Sequence, residues 1–122
     1  MKLRILDNSL RLRLTQSEVK TLASTGRVAA TTSFGPGVAL GYVLEASRNV
    51  AETIARFDGG HVTVSVPEQV VREWSESAQV GIEKEQQVGE GRVLTVLVEK
   101  DFKCLHGAAS RVEADAFPNP NA

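Results

Sequence analysis

Leu10-Arg11-Leu12-Arg13-Leu14-Thr15-Gln16-Ser17-Glu18-Val19-Lys20-Thr21-Leu22 changes its apolar period in mid-course. Leu10, Leu12 and Leu14 alternate with Arg11 and Arg13, the period-two pattern of a strand with one buried face. From Val19 onward the apolar residues Val19, Leu22 and Ala23 recur at helical spacing. The change falls at Thr15-Gln-Ser-Glu18, a capping box in which the Thr15 hydroxyl accepts from the Glu18 N–H and Glu18 reaches back to the Thr15 N–H. Gly26 is placed to close the helix in the left-handed conformation. The stretch predicts a strand that passes directly into a short helix.

The same pattern returns at Val62-Thr-Val-Ser-Val-Pro-Glu-Gln-Val-Val-Arg-Glu-Trp74. A shift of 52 positions lays Leu10, Leu12 and Leu14 on Val62, Val64 and Val66, Val19 on Val71, Leu22 on Trp74 and Val28 on Val80. Beyond that point a shift of 54 lays Gly37 on Gly91, Leu40 on Leu94, Tyr42 on Val96, Leu44 on Val98 and Glu45 on Glu99. In the second stretch Pro67 stands at the helix start, where its missing N–H is no loss, and Glu68 suits the positive end of the helix dipole. Strands are expected at about 27–34 and 79–85. They turn through Gly35-Pro-Gly37 and around Gly89-Glu-Gly91 into strands 38–46 and 92–100. A hairpin partner precedes each apolar run: Lys2–Leu6 through Asp7-Asn-Ser9, and Thr53–Phe57 through Asp58-Gly-Gly60.

The chain therefore reads as one α+β domain, 1–122, with a mainly antiparallel sheet. A ββαββ unit at 1–50 is duplicated at 51–101, and an irregular tail follows at 102–122. That makes about eight strands and two short helices, closed as a barrel-like sheet or as two packed sheets. Leu22 and Trp74 are the expected helix anchors, since helices this short need a sheet to lie on. In the tail, Phe117 among polar and Pro residues reads as an anchor for the segment or as part of a disordered end.

Composition restricts function more than it defines it. With 122 residues, 42% of them hydrophobic and 24% charged, the chain has the profile of one ordinary folded domain rather than a disordered one. The net charge of −1 argues against a nucleic-acid binder, which is usually far more basic. The first 61 residues carry eight basic and five acidic side chains, and the rest carry six and ten, an asymmetry that bears on how two copies would pair. The single Cys104 allows no internal disulfide. No apolar run approaches the ~18 residues of a membrane span. The charged start, Met-Lys-Leu-Arg, is unlike a secretory leader, so a cytoplasmic protein is expected. Strands 38–46 and 92–100 are apolar on both faces, which predicts a central position and, in so short a chain, a homodimer whose second subunit covers one face.

Two clusters resemble chemistry. On an extended chain Cys104 and His106 of Asp101-Phe-Lys-Cys-Leu-His106 point the same way, the start of a metal site or of an activated thiol. A zinc site needs more ligands, and only His61, or Glu113 and Asp115 from a folded-back tail, are at hand. A small buried cysteine beside a surface histidine explains the same residues. Lys2, Arg4, Arg11 and Arg13 would share the outer face of the first hairpin, with Leu3, Ile5, Leu10, Leu12 and Leu14 facing the core. Arg4, Arg11 and Arg13 are the anion-binding candidates, although no aromatic side chain interleaves with them. A solvated sheet face explains them as well. The sequence contains no P-loop, no Gly-x-Ser-x-Gly elbow and no paired acid and base carboxylates, and Glu83, Glu85 and Glu90 read as solvated charge beside a hairpin.

The runs Leu10–Val19 and Val62–Val70, together with Asp101-Phe-Lys-Cys-Leu-His106 and Asp115-Ala-Phe-Pro-Asn-Pro120, resemble a small group of uncharacterised bacterial proteins, a domain of unknown function. The resemblance implies a bacterial protein and carries over no activity and no functional residues. The reading that follows is a small non-enzymatic domain acting by binding or self-association, with no cofactor. A metal or thiol site at Cys104 and His106 is one alternative, and anion or nucleic-acid binding through the basic hairpin is another. A small-ligand carrier follows if the sheets enclose an apolar cavity.

Overall fold

The computed structural model describes residues 1–102, 115, 117 and 118. Cys104, His106 and Glu113 lie outside the described residues. The elements run β1 (Lys2–Leu6), β2 (Ser9–Leu14), α1 (Gln16–Thr25), β3 (Arg27–Gly35), β4 (Val38–Ser47), β5 (Ile54–Asp58), β6 (His61–Pro67), α2 (Glu68–Ser75), β7 (Gly81–Gly89) and β8 (Arg92–Lys100). The fold is α+β, and each half of the chain runs ββαββ.

The eight strands form two four-stranded sheets, ordered β1-β2-β8-β7 and β3-β4-β6-β5. Each sheet therefore joins the opening hairpin of one half to the closing hairpin of the other. The expected antiparallel character holds within every hairpin, but β2 runs parallel to β8 and β4 parallel to β6, so both sheets are mixed. Short turns dictate antiparallel neighbours. The pairing between hairpins is non-local and leaves no such mark. The sheets do not close into a barrel: β1, β7, β3 and β5 are edges.

One apolar core lies between the sheets. Leu12, Leu14, Val96 and Val98 from one sheet and Leu44, Val64 and Val66 from the other are buried in it, and Leu22 and Trp74 of the helices join the same cluster. The helices carry the chain from sheet to sheet at one end, and all four hairpin turns lie at the other. The α1 capping box forms as the residues predict: Thr15 N–H donates to Glu18 Oε1 at 3.0 Å, and Glu18 N–H donates to Thr15 Oγ1 at 3.4 Å. Gly26 closes α1 at φ 82°. Asp115 also meets this helix start, accepting from Ser17 N–H at 3.2 Å and Ser17 Oγ–H at 2.7 Å. Phe117 packs against the core of its own chain, edge-on to Phe102 at 5.9 Å between ring centroids.

Two strand positions differ from the sequence reading. The strand expected at 79–85 runs Gly81–Gly89, and Val80, set opposite the buried Val28, is exposed. Ile82 is the buried residue there, and it pairs with Val98 as Val28 pairs with Leu44. The extra two residues thus fall before β7, in the link after α2. The second difference is Ile5, expected in the core, which is exposed at the turn end.

Candidate functional site

Seven large apolar side chains are exposed among the described residues, and six of them gather at the turn end: Ile5, Leu6, Phe34, Val38, Phe57 and Val88. The seventh, Val80, lies at the helix end. Phe57 is 70% and Phe34 68% exposed. Local geometry accounts for two of the six. In each closing hairpin the pairing skips one residue before the turn, Phe34 in β3 and Val88 in β7, and such a bulge re-aims the side chain. Gly35 and Gly89, at φ 136° and 94°, supply the backbone that the bulges require.

Between the sheets at this end opens a cleft of about 360 Å³. Its apolar walls are Ile5, Leu10 and Leu94 on one side and Leu40, Phe57 and Val62 on the other. These side chains continue the inward-facing rows of the core, so the cleft is the unfilled mouth of the sandwich. Polar groups at its rim are partly engaged. Asn8 Nδ2 donates to the Val93 carbonyl at 2.7 Å and Ser9 Oγ to the Leu6 carbonyl at 2.6 Å. Asp7, in the left-handed region at φ 48°, makes no side-chain hydrogen bond or ion pair among the described residues. An apolar cavity with few polar groups is the usual form of a small-molecule site.

The basic hairpin face exists as expected. Lys2 pairs across with Arg13, and Arg4 with Arg11. Acidic neighbours meet much of its charge. Lys2 Nζ lies 2.9 Å from Asp101 Oδ2, Arg13 Nε lies 3.1 Å and Arg11 Nε 3.4 Å from Glu99 Oε1, and Arg13 Nη2 lies 3.4 Å from Asp101 Oδ1. Arg13 Nε is buried and, although close to Glu99, is not aligned for a hydrogen bond. Arg4 is exposed and has no ion pair among the described residues. Neither Glu99 nor Asp101 could be assigned to this face from sequence, because only the parallel pairing of β2 with β8 brings them there.

No group of three or more His, Cys, Asp or Glu residues among those described converges on a metal position. His61 lies on the outer face of β6, its Nδ1 3.0 Å from the Gly59 carbonyl, and its ring crosses Gly41, where a Cβ would lie 2.4 Å from the ring. No described helix is long and apolar enough to cross a membrane. Fold and surface together define a two-sheet α+β domain with an apolar mouth at one end. The chain belongs to the family of unknown function DUF7009, whose model matches residues 1–121. No curated protein and no solved structure matches it.

Proposed function

We propose that the protein is a non-enzymatic binding domain that takes a small, predominantly apolar molecule into the cleft at its turn end. Six exposed large apolar side chains gather at that end, and the presence of two of them, Ile5 and Phe57, in the walls of its apolar cleft carries the reading. Each such side chain forgoes about 1.5–3 kcal/mol by staying out of the core, so their concentration at one end does not serve stability. Titration with a neutral apolar dye such as Nile red tests it. We expect saturable binding to the folded protein, weakened at least tenfold by Phe57→Asp, a change at an exposed position. No saturable binding, or binding that Phe57→Asp leaves unchanged, overturns the reading.

The cleft also supports a duplicated origin for the two ββαββ halves. Its walls come in matched pairs under the 52- and 54-residue shifts: Ile5 with Phe57, Leu10 with Val62, Leu40 with Leu94. The bulged Phe34 and Val88 match in the same way. So do two hydrogen bonds, Thr95 N–H to the Asn8 carbonyl at 3.1 Å and Gly41 N–H to the Gly60 carbonyl at 2.9 Å. On this view the binding mouth sits where the two copies meet. The resemblance and the single cysteine support a bacterial, cytoplasmic setting.

A further inference from the structure

The outer face of the β1-β2-β8-β7 sheet carries a charge gradient from edge to edge. The strand registers place its outward residues in rows across the sheet. One row is Lys2, Arg13, Glu99 and Gly81, the next is Arg4, Arg11, Leu97 and Glu83, and the third is Leu6, Ser9, Thr95 and Glu85. The β1-β2 side is basic. The β7 side carries Glu83 and Glu85, both exposed and without an ion pair among the described residues. Between them Val93 and Leu97 form a half-buried apolar stripe along β8. Glu99 and Asp101 meet part of the basic charge, and the surplus on one edge is matched by the two free carboxylates on the other. The helices sit against the inner side and end of the sheets, so this face is uncovered by the described residues.

We propose that this face is the contact between two copies of the chain, related by a two-fold axis running along the strands. The charge rows choose the axis. Rotation about a line parallel to the strands turns the sheet over and lays β1 on the second copy's β7. Arg4 then faces Glu83 of the second copy, Arg13 faces Glu99, and Leu97 packs on the aliphatic stem of Arg11. Rotation about a line across the strands lays β1 on β1 and sets Arg4 against Arg4, a like-charge contact that costs affinity. The contact is isologous, as closed dimers require. It aligns strand directions, the usual way for two sheets to pack. It also points both turn ends the same way, so that a dimer presents two apolar clefts side by side. The proposal does not depend on what those clefts bind.

Sedimentation equilibrium on the full chain tests it with two charge-reversed variants, E83R/E85R and R4E/R11E. The wild type is expected to dimerise at tens of micromolar in low salt. At least tenfold weakening is expected between 50 mM and 500 mM salt, since the edge charges are screened. Each variant alone is expected to be monomeric. An equimolar mixture should regain the dimer, because the basic edge made in one meets the acidic edge made in the other. Circular dichroism of each variant separates loss of association from loss of folding, and the salt response of the wild type stands even if a variant fails to fold. A wild type monomeric at 200 µM overturns the proposal. So do variants that dimerise like the wild type, or folded variants whose mixture stays monomeric. A monomer that is retained on heparin through Arg4 and Arg11 would assign the face to a polyanion instead.

Discussion

Lys100 ends β8 on the inner side of its sheet and is only 4% exposed. Its ammonium donates to the Ser77 carbonyl at 2.7 Å and lies over two rings, 5.6 Å from the Trp74 centroid and 5.3 Å from that of Phe117. These contacts hold the charge in place, yet burial still pulls its pKa below the ordinary lysine value. Between that lowered value and the lysine pKa of the unfolded chain, the unfolded chain binds more protons. Stability therefore rises with pH through that window and levels off above it. Urea unfolding midpoints should increase from pH 8 to pH 10 in the wild type, and Lys100→Met should remove that part of the increase. Equal pH responses in the two proteins would show that the amine is solvated. Asp115 shows the opposite case. Hydrogen bonds from Ser17, and then from Thr15, hold its carboxylate below the usual range, so its contribution is present at neutral pH and lost in acid. Neither role could be read beforehand. A lysine at a strand end and an aspartate in a tail look like solvated charges until Trp74 and the start of α1 are brought to them.

Individual elements follow local rules that the residues state openly. The Leu-Arg alternation makes β2, the Thr15–Glu18 box starts α1, and paired glycines turn both closing hairpins. The link between the sheet edges follows no such rule. Gln86 projects inward from β7, and its amide takes the place of a missing strand partner for β5. Its Nε2 donates to the Ala55 carbonyl at 2.9 Å, and its Oε1 accepts from the Ala55 N–H at 2.8 Å. Ala55 is buried, so removing the amide strands two backbone groups away from water. Gln86→Ala should cost about 1–3 kcal/mol in chemical denaturation. A cost near zero would mean that solvent reaches Ala55. In sequence Gln86 stands within Glu-Lys-Glu-Gln-Gln, a solvated hairpin by composition. Its function arises only because β5, from the same half of the chain but the other sheet, lies across the seam.

At the scale of the molecule, neither half can fold by itself as it does in the whole. Each sheet takes two strands from either half, and each helix passes from one sheet to the other. A fragment of residues 1–50 has no sheet of its own to complete. At low micromolar concentration its circular dichroism should be that of an unfolded chain, and any structure it gains should depend on concentration. A fragment that folds independently of concentration would contradict this topology. The two doubly apolar strands, read as central, are central: β4 lies between β3 and β6, and β8 between β2 and β7. The hairpins, the helix caps and the residues that face inward were legible because they depend on neighbours within a few positions, where period and turn chemistry act. The parallel pairing of β2 with β8 and of β4 with β6, the open mouth lined by Ile5 and Phe57, and the meeting of Arg13 with Glu99 were not. Those depend on which of several similar apolar strands come together across the core. Burial energy rewards any well-packed choice among such strands, and only the folded chain, with all its contacts made at once, selects one.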